Sequence, residues 1–135
     1  MTGTRRVVVV GVDGSPNSVV ALRRGAAEAA KDGARLRAVH VRRATDSGGG
    51  GVLEGAAAEA FGERIGVDVE LVERVGGVQD VLLKEAVDAD VLVVGAHGQT
   101  GAFRAVLGTT ARSCADHAQC AVLVVPPNVV VVPPD

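Results

Sequence analysis

Short runs of valine and other apolar residues recur along this 135-residue chain, separated by longer segments of helical spacing, and this alternation leaves few folds open. Arg6–Val12 is nearly continuous valine. A segment that is apolar at successive positions, rather than at every second one, reads as a strand covered on both faces. Leu36–Val41, Val91–Val94 and Ala121–Val125 read as further strands. Val67–Val75 alternates polar and apolar residues, as a less buried strand would.

Helical segments lie between them. Ser15-Pro16 supplies an N-cap and a proline at the first helical position. Val19, Val20, Ala26, Ala27 and Ala30 follow at helical spacing, and Gly33 ends the segment. Arg43–Gly51 holds four consecutive glycines and reads as a flexible loop. Leu53, Ala56, Ala57, Ala60 and Phe61 form a stripe that predicts a helix from about Leu53 to Ile65, weakened by Gly55 and Gly62. Gly76-Gly77 breaks the chain, and Val78, Val81, Leu82 and Ala86 mark a third helix. Thr109–His117 reads as a fourth. The expected class is therefore α/β, a doubly wound five-stranded parallel sheet of strand order 3-2-1-4-5 with helices on both faces. Residues 1–127 form one domain in this reading, and residues 128–135 form a tail beyond Pro126-Pro127. In such sheets ligands bind outside the carboxyl ends of the strands, where the winding reverses between the first and fourth strands. Two loops flank that point: Asp13–Asn17 and Gly95–Gly108.

Composition narrows the ligand. Two phenylalanines are the only aromatic residues, so the core is built from aliphatic side chains and offers no stacking platform for single-stranded nucleic acid. Net charge is -2, and no run of Lys or Arg forms a basic patch, so nucleic acid is not an expected partner. A phosphate ligand would depend on backbone N–H groups, a helix N-terminus and a divalent metal. Cys114 and Cys120 form no CxxC pair and read as small hydrophobes of a reducing compartment. His40, His97 and His117 lack metal-ligand spacing; His40, within a strand, reads as structural. Arg5-Arg6 before the valines mimics an export signal, but the apolar run stops at Asp13, too short for a signal core or a membrane span. The expected location is cytoplasmic, with no membrane partner.

The second loop reads Gly95-Ala96-His97-Gly98, then nine residues, then Gly108-Thr109. Gly95 ends a strand, Gly98 admits close approach of a ligand, and Gly108-Thr109 opens a helix whose free N–H groups favour an anion. On the glycines alone, a flexible loop with a helix cap explains the pattern equally well. Asp13 serves either as a cap of the first turn or as a ligand residue. Ser15 is more simply an N-cap than a phosphate contact, and Arg104 more simply a surface side chain. His97 has no neighbouring carboxylate to make it a base.

The spacing Gly-x2-Gly-x9-Gly-Thr resembles the nucleotide-loop signature of the ATP-binding branch of the universal stress protein family. Val9–Ser15, Ala89–Gly95 and Cys120–Pro126 resemble that family's first, fourth and last strands, with Ala121 where a proline is common. The resemblance spans about Arg6 to Pro126. It implies that Gly98, Gly108 and Thr109 hold the phosphates of ATP, with Gly95, His97 and Thr110 lining the loop. It implies that Asp13, with Gly11 and Val12 beside it, faces ribose and phosphates and helps hold Mg or Mn, and that Val41 meets adenine through its backbone. It further implies a homodimer near the fifth strand, to which the valine-rich tail is expected to contribute. The expected function is an ATP-binding stress-response protein acting as a nucleotide-dependent switch or sensor. The alternatives are a slow ATP hydrolase or phosphoryl-transfer enzyme, and a dimeric scaffold without nucleotide. Efficient phosphoryl transfer is disfavoured because the chain has no Walker A lysine, arginine clamp or evident base. A response-regulator receiver is disfavoured because no acceptor Asp follows the third strand and no Lys the fifth.

Overall fold

The computed structural model describes residues 6–44, 51–62, 68–96 and 109–126. Nine elements alternate: β1 (Val7–Gly11), α1 (Pro16–Asp32), β2 (Arg35–Arg42), α2 (Val52–Phe61), β3 (Val69–Val75), α3 (Val78–Glu85), β4 (Val91–Gly95), α4 (Thr109–His117) and β5 (Ala121–Val125). All four strand pairings are parallel, and the sheet order is β3-β2-β1-β4-β5, as the sequence predicts.

Strand periodicity divides the interior in two. Val8, Val10 and Val12 turn to one face with Leu36, Ala38, Val93 and Val125, where α1 and α2 cover them through Leu22, Ala21, Ala29, Leu53 and Ala56. Val7 and Val9 turn to the other face with Val39, Leu92 and Val94, covered by Leu82 of α3 and by Ala111 and Cys114 of α4. The two edge strands differ from the centre. Within β3 only Val72 is buried, which accounts for the alternation in its sequence.

Local signals set the helix ends. Ser15 Oγ accepts the Ser18 N–H (3.2 Å), Pro16 opens α1, and Gly33 closes it in the left-handed region (φ 65°). α2 is shorter than its apolar stripe predicts. Gly62 adopts φ 61° and its N–H bonds Ala58 O, so the helix stops at Phe61. Arg23 of α1 donates to Glu59 O (3.0 Å) and Ala60 O (3.3 Å), satisfying carbonyls that the short helix leaves open. The predicted continuation to Ile65 falls outside the described residues, as do part of the Arg43–Gly51 loop and the tail 128–135.

Several charged residues of β2 face opposite charges on neighbouring elements. Arg37, on the α3 side of β2, lies 3.1 Å from Glu70, 3.7 Å from Glu85 and 3.8 Å from Asp88. His40 Nδ1 and Arg42 Nε lie 3.4 and 3.5 Å from the same Glu73 oxygen, and the buried His40 Nδ1 makes no hydrogen bond among the described residues. At the opposite end of the sheet, the Val7 N–H donates to Asp90 Oδ2 (3.0 Å) and the Asp90 N–H to Val7 O (2.9 Å), which aligns β1 with β4. Among the described residues no helix is long and apolar enough to cross a membrane.

Two helical glycines make a paired test. A Cβ on Gly25 of α1 would overlap Val10 Cγ2, a fully buried atom group of β1, whereas a Cβ on Gly55 of α2 meets nothing within 4 Å. Alanine is favoured over glycine in a helix by about 1 kcal/mol, but overpacking costs about 1–3 kcal/mol. Gly25→Ala is therefore expected to destabilise the fold by about 1–2 kcal/mol, and Gly55→Ala to stabilise it by about 0.5–1 kcal/mol. Urea unfolding midpoints of the two variants check both signs.

Candidate functional site

The winding reverses between β1 and β4, and the chain leaves the carboxyl ends of these neighbours in opposite directions. After Gly11, the Val12 N–H still donates to Val39 O (2.8 Å), extending the pairing with β2 by one residue. Val12 is buried, so only its backbone faces the crevice. A built turn follows. Asp13 Oδ1 accepts the Ser15 N–H (2.9 Å), Gly14 takes φ 86°, and Ser18 Oγ donates to Ser15 O (2.9 Å). Asp13 thus caps the turn, and the same bond holds its carboxylate at the mouth of the crevice.

β4 ends at Gly95, and the Ala96 N–H donates to Val125 O (2.8 Å) at the end of β5. Asn17, in the first turn of α1, is buried and donates from Nδ2 to the same carbonyl (3.1 Å). This neighbour favours glycine at 95, because a Cβ there would lie 2.9 Å from Cγ and Oδ1 of Asn17 and the amide would have to shift. Gly11 is constrained likewise by Leu82 Cδ1, 2.9 Å from its would-be Cβ. Both glycines therefore have packing reasons independent of any ligand.

Val41 stands two residues beyond Val39, whose register partner is Gly11. Backbone groups alternate sides along a strand. Since Val39 O points to β1, the N–H and C=O of Val41 point toward the same side, past the end of β1. Its side chain packs into the α3–α4 core. A contact made there would come from the backbone, as the sequence reading expects. Thr109 and Thr110 open α4, the first exposed and the second half-buried. His97, Gly98, Arg104 and Gly108 lie outside the described residues. The structure thus brings the Asp13 turn, Gly11, Val12 and Gly95 to the switch point, with Val41 flanking it on β2. Asn17 is the site residue that sequence reading missed. An amide beside Ser15 and Ser18 passes for helix-capping chemistry, and only the fold puts it against Gly95.

Oxygen donors, Asp13 and the threonine hydroxyls, suit a hard divalent cation. No group of three or more His, Cys, Asp or Glu that could hold a metal occurs among the described residues. One carboxylate fits a magnesium ion held mainly by nucleotide phosphates and water.

An open α/β domain with its crevice at the winding reversal is defined by these features, and sequence comparison identifies which one. The universal stress protein family model matches residues 4–126, and the chain belongs to that family. A universal stress protein in complex with cAMP is 29% identical, with a TM-score of 0.74 over 93% of this chain and 100% of that one. Protein Rv1636 from Mycobacterium tuberculosis H37Rv is 30% identical, with a TM-score of 0.59 over 93% and 98%. The Archaeoglobus fulgidus universal stress protein in complex with dAMP shares the fold at 23% identity, with a TM-score of 0.61 over 90% and 98%. A comparison with curated proteins gives no match.

The two cysteines stand apart from this chemistry, packed with the α4 side of the core. Burial, and secondarily the nearby Cys120, pushes the Cys114 thiol up to about 11 from an ordinary value of 9.0. Cys120 is raised too, chiefly by burial, with Asp90 adding to the effect and backbone hydrogen bonds opposing it. A thiol that stays protonated when folded but ionises when unfolded favours unfolding as pH rises. Its stabilising contribution is complete below about pH 9 and is lost progressively toward about pH 11. Denaturant midpoints measured across that window are expected to fall for the wild type, and to fall less for Cys114→Ala.

Proposed function

We propose that this chain binds an adenine nucleotide, ATP with Mg or Mn, in the crevice between the ends of β1 and β4, and that occupancy acts as a switch or sensor in a stress response. The observation that carries this reading is the convergence of the Asp13 turn and the start of the Gly95 loop at the winding reversal. The similarity to a universal stress protein in complex with cAMP supports an adenine nucleotide as the ligand class. In this reading Gly98, Gly108 and Thr109 hold the phosphates with Gly95, His97 and Thr110 lining the loop, Gly11, Val12 and Asp13 face ribose and phosphates, and the Val41 backbone meets adenine. The metal would neutralise phosphate charge in a site with few cations. Backbone N–H groups and the α4 N-terminus would supply the remaining stabilisation.

Two substitutions test the reading by calorimetry with Mg-ATP, with circular dichroism to verify folding. Gly98→Val puts a branched side chain where phosphates are proposed to sit and is expected to abolish binding. Asp13→Asn keeps the Oδ1 acceptor for the Ser15 N–H while removing the charge. Its stability should stay within about 0.5 kcal/mol of wild type, and its Mg-ATP affinity should fall about tenfold, with little change in a chelator. Folded variants that both bind Mg-ATP like wild type overturn the proposal.

The proposed assembly is a homodimer through β5. This edge strand carries no charged residue, whereas the other edge, β3, carries Glu70, Glu73 and Arg74. Charged edges resist strand pairing and apolar ones invite it. Truncation after Pro127 is expected to weaken a dimer seen by analytical ultracentrifugation. A monomeric full-length chain removes the interface, and an equally tight truncated dimer removes the role of the tail.

A further inference from the structure

Asn17 carries a buried amide that α1 does not need for its own cap, since Ser15 already supplies it. Its Nδ2 donates across 108 positions of sequence to Val125 O. That carbonyl also receives the Ala96 N–H, which uses both of its lone-pair directions. The rest of the amide lies against the α-carbon of Gly95, close enough that any side chain there would collide with it. One side chain therefore touches the last residue of β4, is bonded to the last residue of β5, and belongs to the helix that follows the Asp13 turn. An apolar residue would fill this space without the cost of burying an amide, about 1–3 kcal/mol when such a group is left unbonded. The amide does something packing alone does not: its bond fixes a distance and a direction.

We propose that Asn17 is a positioning residue for the β4 side of the crevice, at Gly95–Ala96. It sets the path of the chain as it leaves β4 at Gly95–Ala96, and it holds that exit at a fixed separation from the Asp13 turn. The two halves of the crevice then approach one polyphosphate without reorganising, and this preorganisation raises affinity. The inference rests on the nucleotide reading above and assigns a residue that the glycine signature does not contain. Because Asn17 acts at the β4 exit and Val41 lies on the far side of β1, its effect falls on the phosphates rather than on the base.

The test is calorimetry with Mg-ATP and with adenosine on wild type, Asn17→Ala, Gly95→Ala and the double variant, each checked for folding. Asn17→Ala is expected to lose Mg-ATP affinity about five- to tenfold, the scale of one hydrogen bond, while adenosine affinity changes little. Gly95→Ala is also expected to weaken Mg-ATP binding. The double variant should lose less than the two single losses combined, because the new methyl group enters the space the amide vacates. On the wild type, the Asn17 side-chain amide resonances are expected to shift on saturation with Mg-ATP. A wild type that binds neither ligand removes the nucleotide reading and the positioning role with it. A folded Asn17→Ala that keeps its Mg-ATP affinity, or loses ATP and adenosine equally, overturns the positioning role and leaves the nucleotide reading standing. Should Asn17→Ala fail to fold, unshifted wild-type amide resonances overturn the proposal by themselves.

Discussion

β1 has to be covered on both faces. Its four valines point alternately to opposite sides, and all four are buried. Removing a valine side chain from water is worth about 1.5–3 kcal/mol. Four such burials are comparable to the net stability of a whole domain, about 5–15 kcal/mol. A single layer of helices would leave half of that unrealised. The chain meets the requirement by sending α1 and α2 to one face and α3 and α4 to the other. With right-handed connections, that change of face forces the winding to reverse beside β1. The crevice at the carboxyl ends of β1 and β4 follows from covering the strand.

The near absence of aromatic residues fixes how closely the layers approach. Gly25 lets α1 lie directly on Val10, and Ala21 and Ala29 continue that close face. On the other side Leu82 reaches into the space over Gly11. Small residues on helices and valines on strands thus bring the start of α1 near enough to the sheet for one amide, Asn17, to bond the end of β5. A bulkier core would hold the α1 N-terminus away from β4, and the two sides of the crevice would lose their common anchor.

Much of this architecture was legible in the sequence because its signals are local. Unbroken valine at 7–10 specifies a central strand, and Ser15, Pro16 and Gly33 specify the limits of α1. Alternation together with handedness leaves few arrangements, and the sheet adopts the favoured one among them, 3-2-1-4-5. α2 closes at Phe61 because Gly62, which reads in sequence only as a weak helix residue, takes a positive φ and returns its N–H to Ala58 O. At the candidate site, the positions of Asp13 just after β1 and of Gly95 at the end of β4 are legible from the strand pattern. Asn17 was not, since its meaning comes from partners 78 and 108 positions away. Gly11 and Gly95 were assigned to the ligand, and their glycine identity also has a packing cause that no linear pattern displays.

The two edges of the sheet carry the last constraint. Among the described residues, the five-stranded parallel sheet has two edge strands whose outer backbone donors and acceptors meet no further strand. On β3 the charged side chains are engaged within the chain, Glu70 with Arg37 and Arg74 with Glu85, so a strand approaching that edge would meet fixed charges. β5 carries no charged side chain of its own along Ala121–Val125. An unprotected apolar edge in a chain of modest net charge invites association unless something covers it, and a second copy of the same edge covers it symmetrically. The proposed dimer therefore places the subunit contact on the strand whose last carbonyl, Val125 O, already receives Ala96 and Asn17. If the crevice takes a nucleotide and β5 pairs with a second copy, as proposed, Val125 lies between the two, bonded to the β4 exit through its carbonyl and belonging to the paired strand through its backbone.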